Sequence, residues 1–389
     1  MIAGASLMAV ALPALAVWVY LLLGRGRFWQ CAERDDRDEP AGDPAHWPAV
    51  VAVVPARNEA DLLPVSLASL LSQDYPGTFS VVLVDDDSDD GTLAVARELP
   101  AAATGRLTIV AGEALPAGWT GKLWAMHQGI AHAGAAAAPD YLLLTDADIG
   151  YDPRTLRSLV RRAEADHLVM VSLMVKLRCQ SLPERALIPA FVFFFQMLYP
   201  FAWVNRPDAR TAAAAGGCML VQRAALAAAG GVASIRGALI DDCALAARLK
   251  RRGPIWLGLT ERARSLRPYP SFDEVRRMVA RSAYAQLRYS RAILAGAVAG
   301  LALTYLAPAL IALLGSGGSE LVATAAWILM AAAFWPTVRF YRLSPLWAAL
   351  LPAIAAVYLA FTLDSARQHG RGRGGLWKGR AQALPADSR

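Results

Sequence analysis

Hydrophobic positions run along this chain in three regimes. Residues 2–23 are almost wholly apolar and are followed by Arg25 and Arg27, which is about the length a helix needs to cross the hydrocarbon core of a bilayer. From Val50 to Arg288 short β-rich runs alternate with longer helical stretches. VVAVVP (50–55), SVVLVDD (80–86), LTIVAG (107–112) and YLLLTDAD (141–148) read as strands, with helices over 59–73 and 89–100. Each run is near-continuously apolar, as in strands buried on both faces of a parallel sheet. Strand, helix, strand at this spacing predicts right-handed crossovers and a doubly wound α/β core. After Ser290 three more apolar stretches, near 292–314, 320–338 and 345–363, read as membrane spans, and RQHGRGRGGLWKGR as a basic tail.

This pattern divides the chain into an N-terminal transmembrane anchor (1–24), a charged, Pro-containing linker (25–49), an α/β domain (50–289), transmembrane helices (290–364) and a basic tail (365–389). One stretch inside the domain, ALIPAFVFFFQMLYPFAWV (186–204), is long enough to span. Crossing there would put Asp146 and Asp241 on opposite sides of a membrane, so it reads as an interfacial or re-entrant segment at the acceptor entrance. A buried core helix is the alternative. One N-terminal and three C-terminal spans would also set the basic tail opposite the Arg25 side, against the positive-inside tendency, so one apolar stretch is not a full span.

Composition sharpens the picture. At 389 residues, 56% hydrophobic and 18% charged, the chain is too long for one ordinary domain and too apolar to be fully soluble. The net charge of +7 suits a membrane protein with cytoplasmic Lys and Arg. No basic stripe interleaved with aromatics is present, so nucleic acid is not an expected partner. Cys31, Cys179, Cys218 and Cys243 form neither a CxxC pair nor a Cys/His metal spacing, which points to a reducing compartment without structural zinc.

Candidate chemistry lies where the strands end. Asp146 and Asp148 follow an apolar strand two residues apart; carboxylates so placed reach one hard divalent cation, which also takes diphosphate oxygens. A solvated turn is the plainer reading of such a pair alone. Asp85-Asp86-Asp87-Ser88-Asp89-Asp90-Gly91-Thr92 follows another strand; its acids can accept from a base and ribose, while Ser or Asp caps the next helix. In Val54-Pro55-Ala56-Arg57-Asn58-Glu59-Ala60, Arg57 can meet phosphate and Glu59 ribose or base, the plainer reading being a turn with Asn58 as N-cap. Gly118-Trp119-Thr120-Gly121-Lys122 can close over a diphosphate, with Lys122 as a point charge. It lacks the Walker pattern, which disfavours an ordinary kinase or ATPase. Asp241 and Asp242 open a helix, where adjacent acids can divide their roles, one held ionised and the other acting as base.

Taken in order, PARNEA, VDDDSDDGT, TDAD, AAGGCMLVQRAAL and IDDCALAARL resemble the family-2 glycosyltransferases of the GT-A fold. With GWTGK and the apolar ends, they look most like the hopanoid-associated glycosyltransferases of bacteria. The resemblance implies a GT-A type doubly wound, mostly parallel sheet with an N-terminal transmembrane helix and a C-terminal transmembrane region. It further implies that Asp85 and Asp86, with Pro55, Arg57, Glu59, Lys122 and Asp146, bind the donor nucleotide. Asp148, supported by Asp146, would take Mg2+ or Mn2+. Asp242 matches the second acid of the family's Glu-Asp motif, the general base, and Asp241 stands where Glu is usual. Gly216 and Gly217 fit the loop beside sugar and acceptor.

The last family motif, Gln/Arg-x-x-Arg-Trp, has only partial counterparts here: Arg277, Arg281, Gln286 and Arg288 lie in RRMVARSAYAQLRY, with Tyr289 in place of Trp. The expectation is therefore inverting transfer of a single sugar from a nucleotide sugar, a UDP-sugar, to a lipid such as a hopanoid, at the bacterial inner membrane with the catalytic domain facing the cytoplasm. A processive polysaccharide synthase of the same fold is the first rival. A non-catalytic membrane scaffold and a nucleotidyltransferase are the others.

Overall fold

The computed structural model describes residues 2–37, 39–100, 105–371, 376–377 and 380–381, so most of the expected basic tail (365–389) lies outside the described residues. In chain order the elements are α1 (Ile2–Leu23), β1 (Val50–Ala56), α2 (Leu63–Leu71), β2 (Phe79–Asp85), α3 (Thr92–Glu98), β3 (Leu107–Ala111), α4 (Gly121–Ala137), β4 (Tyr141–Thr145), β5 (Ile149–Tyr151), α5 (Thr155–Ala165), β6 (Met170–Lys176) and α6 (Leu182–Leu198). There follow β7 (Cys218–Gln222), α7 (Arg223–Ala228), α8 (Asp241–Leu249), β8 (Ile255–Ser265), α9 (Phe272–Gln286), α10 (Arg291–Leu301), α11 (Ala307–Leu314), α12 (Gly318–Phe340) and α13 (Leu351–Gly370).

The chain forms two units. The first holds Glu33–Arg178 and Trp203–Pro268, built on an eight-stranded sheet of order β3-β2-β1-β4-β7-β6-β8-β5. β1, β2, β3 and β4 pair in parallel, as do β6 and β8, whereas β7 runs antiparallel to β4 and β6, and β5 antiparallel to β8. The sheet is thus mixed and mostly parallel. The four expected strands form; β1, β2 and β4 are buried along nearly their whole length, because helices cover both faces, whereas β3, at the sheet edge, is buried at Leu107 and exposed at Thr108 and Ala111. α4 packs closely on β1 and β2 at Gly129, where a Cβ would come within 2.5 Å of Val53 Cγ1. Its N-terminus is capped by the Thr120 hydroxyl, which accepts from Leu123 N–H. Residues 33–35 extend the sheet at β8 through Asp35 N–H to Leu259 C=O (3.2 Å) and Leu259 N–H to Glu33 C=O (2.9 Å).

The second unit, Met1–Ala32, Cys179–Ala202 and Tyr269–Gly375, is helical. Residues 179–202 and 269–286, inside the stretch 50–289 read as one domain, group with it. Its core joins Trp18, Phe28, Phe193, Tyr305, Met330 and Phe334. α6 starts at a capping box in which Ser181 and Glu184 exchange hydrogen bonds with each other's backbone, and one of its faces, Leu187, Ala190 and Phe193, is buried in this core. Residues 186–204 are therefore a packed helix and its continuation. Among the described residues, four stretches are long and apolar enough to cross a membrane: Ser6–Leu23, Leu182–Val204, Arg291–Leu314 and Gly318–Phe340. The stretch 345–363 is divided at Leu350 between a short helix and α13 and is not among them.

Candidate active site

The loops after β1 and β2 are zipped together. Arg57 donates to the carbonyls of Asp86 and Asp87, and Asn58 N–H to Ser88 Oγ (3.0 Å). Glu59 N–H donates to Thr92 Oγ1 (2.9 Å), Ala60 N–H to Asp90 Oδ2 (3.0 Å), and Asp89 N–H to Asn58 Oδ1 (3.1 Å). Asn58 and Asp87 sit at φ 51° and 56°, a left-handed backbone that short polar side chains tolerate. Asn58 is not an N-cap: α2 begins after Leu62, and the Asn58 amide serves the acidic loop instead. Likewise α3 begins after Gly91 without a side-chain cap on its N-cap residue, while Asp90 Oδ1 takes Thr92 N–H (3.0 Å). Asp85 accepts from both the Ser88 hydroxyl (2.5 Å) and its N–H (3.3 Å). Asp85 and Asp86 are buried, and Pro55 lies in the buried end of β1.

A second cluster centres on Lys122, in the first turn of α4. Its Nζ bridges Asp146 Oδ1 (2.8 Å) and Asp241 Oδ2 (3.4 Å). Burial works against the ammonium, but Asp146, Asp241 and Asp242 outweigh it, so its pKa rises and the charge is secure. For Asp146, burial and the neighbouring Asp148 and Asp241 charges raise the pKa against the pull of Lys122. Asp242 lies at the start of α8. Burial, then the adjacent Asp241, push its pKa up to about 6, against Lys122 and two backbone N–H donors. Those donors are Gly216, to Oδ2 (3.0 Å), and Cys243, to Oδ1 (2.7 Å). Gly216 allows this approach, since a Cβ there would meet Lys122 Nζ at 3.3 Å and Asp242 at 3.5 Å. Gly217, one residue before β7, accepts from Thr145 Oγ1 (2.9 Å) and Tyr151 OH (3.2 Å), which ties this loop to the end of β4.

Asp148 belongs to a third set. Its Oδ2 accepts from Ser265 Oγ (2.9 Å) and lies 3.3 Å from Arg267 Nε. Arg267 Nη2 also reaches both oxygens of Glu59 (2.5 and 2.6 Å). The guanidinium thus links the loop after β1 to the turn after β4. Ser265 and Arg267, at the end of β8, and Tyr151 were not anticipated from sequence. β8, IWLGLTERARS, which ends at Ser265, carries no acidic motif, Tyr151 lies in the short β5, and Arg267, two residues past β8, meets Glu59 only through the fold. Asp85, Asp86, Arg57 and Glu59 are thus joined in one loop pair, and Lys122, Asp146, Asp241, Asp242 and Gly216 in one cluster. Arg281 and Gln286, on α9, and Arg288 just beyond it belong to the helical unit, where Gln286 Nε2 donates to Tyr199 OH (2.6 Å).

As metal ligands, Asp146 and Asp148 offer hard carboxylate oxygens two residues apart. Among the described residues, however, no three His, Cys, Asp or Glu side chains form a cage for a cation. The donor set fits a divalent ion whose remaining ligands come from a substrate diphosphate, and does not fit one held by protein alone.

Comparison with known proteins agrees with this architecture. The model of glycosyl transferase family 2 matches residues 51–229. A 52-residue stretch is 48% identical to an N-acetylglucosaminyltransferase of Mesorhizobium japonicum, covering 13% of this chain and 12% of that protein, so the chain spans well under two thirds of the curated relative it matches. The solved structure of mannosyltransferase PcManGT from Pyrobaculum calidifontis, in complex with GDP-Man and Mn2+, is similar with a TM-score of 0.54 at 22% identity, covering 96% of this chain and 100% of that one. S. aureus TarS 1–349 in complex with UDP-GlcNAc is matched at a TM-score of 0.41 and 16% identity, over 87% of this chain and 97% of that one. The likeness to PcManGT shows the fold, a GT-A type sheet accompanied by apolar helices at the N-terminus and in the C-terminal region. The family match, residues 51–229, runs from β1 to α7 and takes in under half of the chain.

Proposed function

We propose that this protein is a membrane-associated glycosyltransferase that moves one sugar, with inversion, from a UDP-sugar to a hydroxyl of a lipid acceptor, a hopanoid or related isoprenoid. The observation that carries this reading is the cluster around Lys122. It sets a carboxylate of raised pKa, Asp242, beside a lysine that two further carboxylates keep charged. Such a pair suits a displacement that needs a base at one end and positive charge at the other. In this reading Asp242 takes the proton of the acceptor hydroxyl. The acceptor oxygen then bonds to the anomeric carbon as its bond to the diphosphate breaks. Lys122 meets the negative charge that develops on the departing nucleoside diphosphate. Gly216 N–H orients Asp242, and the loops carrying Arg57, Glu59, Asp85 and Asp86 hold the nucleotide. Asp146 and Asp148 would hold Mg2+ or Mn2+, which when bound neutralises part of the diphosphate charge.

The four helices long and apolar enough to cross a membrane support a lipid acceptor and the bacterial inner membrane as the site. The similar structure in complex with GDP-Man supports a nucleotide-sugar donor; the choice of UDP and of a hopanoid rests on the sequence resemblance. The test is a release assay on detergent-solubilised protein with UDP-, GDP- and dTDP-sugars and a lipid extract, with and without Mn2+ or Mg2+. Metal-dependent release of nucleoside diphosphate with a new monoglycosylated lipid is the expected result. A ladder of oligomers would point to a polymer synthase, and release of pyrophosphate to a nucleotidyltransferase.

A further inference from the structure

A pocket of about 580 Å³ lies beside α8 in the sheet unit, bounded on one side by Ala233–Ala238 and on the other by Ala244, Ala247, Arg248 and Arg251. The second set falls at i, i+3, i+4 and i+7, one face of a helix and the turn that ends it. Small alanines on that face leave the space open. The facing loop is fixed by Thr120 N–H donating to Arg236 C=O (2.9 Å). It approaches the GWTGK segment at Gly118, where φ is +82° and a Cβ would lie 3.8 Å from Arg236 Nε.

Three arginines, 236, 248 and 251, line this pocket, and among the described residues none of them has a carboxylate partner. The acid that shares the α8 face with Ala244 and Arg248 is Asp241, and it is engaged by Lys122. Arg248, in the last turn of α8, and Arg251, just past its end, are like charges three positions apart and repel each other. An anion entering the pocket would relieve that repulsion, and guanidinium forks match the oxygens of a phosphate. Ala244 is two residues from Asp242, and Arg248 is about 9 Å along the helix axis from it.

We propose that this pocket holds a phosphate-type anionic group of the acceptor, some way from the hydroxyl that reacts. This rests on the glycosyltransferase reading above and narrows its acceptor: among isoprenoid lipids it favours one that carries a phosphate over a neutral alcohol. Charge recognition by three exposed arginines also makes acceptor binding sensitive to salt.

The test uses the full chain in zwitterionic detergent and two readouts. In the first, short-chain phosphatidate, its neutral diacylglycerol counterpart and inorganic phosphate are titrated against wild type and against an Arg248→Glu/Arg251→Glu double variant, with Arg236→Ala as a second, milder variant. Nucleoside diphosphate affinity reports that the variants remain folded. Phosphatidate is expected to bind wild type, at least tenfold more weakly to the double variant and severalfold more weakly to Arg236→Ala, with diacylglycerol binding none of them. Equal binding of phosphatidate to wild type and double variant, or equal binding of phosphatidate and diacylglycerol, overturns the proposal. Inorganic phosphate binding as tightly as phosphatidate would assign the pocket to a free anion and overturn the acceptor role. In the second readout, lipid extract is split by anion exchange and each fraction is offered as acceptor. Transfer into the anionic fraction, with its KM raised at least tenfold in the double variant, is expected, and transfer into the neutral fraction alone overturns the proposal. Failure of transfer with every fraction counts against the glycosyltransferase reading, while the binding titration still decides the pocket.

Discussion

At the scale of single residues, Asp242 is the group on which the chemistry turns. Asp242→Asn removes the base and keeps one of the two backbone contacts, since only the amide oxygen can accept from Gly216 or Cys243 N–H. Transfer should fall by about 10²–10⁴-fold, the usual worth of a positioned general base, while nucleoside diphosphate affinity measured by calorimetry stays within about twofold of wild type. The raised pKa sets the sign of the pH dependence. Asp242 is protonated, and idle, below its folded value of about 6, so kcat/KM should drop about tenfold per pH unit there. A profile flat down to pH 5 would remove Asp242 from this role. Arg267 makes the opposite kind of prediction. Arg267→Ala removes one ion-pair partner from buried Glu59 and from Asp148, and breaking a largely buried pair by deleting one side is destabilising, by up to about 3 kcal/mol. Both the denaturation midpoint and donor affinity should fall; an unchanged midpoint would show that the pair contributes little. These two residues also mark how far the sequence can be read. Asp242 stands out because an acidic pair opens a helix, whereas Arg267 lies 208 positions from Glu59 and no local pattern announces their meeting.

At the scale of elements, four strands were legible because each is a near-continuous apolar run, buried on both faces in β1, β2 and β4 and half-exposed in the edge strand β3. β8 was not, since its second half, LTERARS, is polar. Its Thr260 is buried and donates to Asp35 Oδ2 (3.0 Å), a contact made by the linker strand at residues 33–35. Burial raises the Asp35 pKa to about 6, with Thr260 and Arg262 opposing. A carboxylate whose folded pKa is raised contributes stability that is fully present below its unfolded value and is lost as pH rises through about 6. Asp35→Asn should therefore melt above wild type at pH 8 and no higher than wild type at pH 4. A variant that melts lower at pH 8 would show that the ionised group is stabilising. The contact of α4 with the sheet gives a packing test. At Gly129 even a methyl group would press on Val53 Cγ1 at 2.5 Å and Val84 Cγ2 at 3.0 Å. Gly129→Ala should cost about 1–3 kcal/mol by overpacking, read as a lower denaturation midpoint; a midpoint at or above wild type would contradict this packing.

At the scale of the whole molecule, the alternation of apolar runs and helices led to the α/β sheet, and the long apolar stretches led to helices fit for a membrane. What the pattern could not supply was the grouping. Residues 186–204 read as a segment apart because hydrophobicity reports length, not what a helix packs against. In the structure this segment shares a core with Trp18, Phe28 and Phe334, and α9 shares it through Val275 and Val279. The motifs were legible one at a time; their division into a zipped nucleotide loop pair, a lysine-centred cluster and an arginine-linked Asp148 required coordinates. In the proposed reaction the lysine-centred cluster, together with Asp148, runs sugar transfer. The most direct test measures nucleoside diphosphate release and glycolipid formation by wild type, Asp242→Asn and Asp148→Asn, each with a panel of donors and with Mn2+ or a chelator. Metal-dependent release coupled to glycolipid is expected in wild type, loss of transfer with donor binding kept in Asp242→Asn, and weakened metal-dependent donor binding in Asp148→Asn. Turnover by Asp242→Asn equal to wild type would contradict this reading.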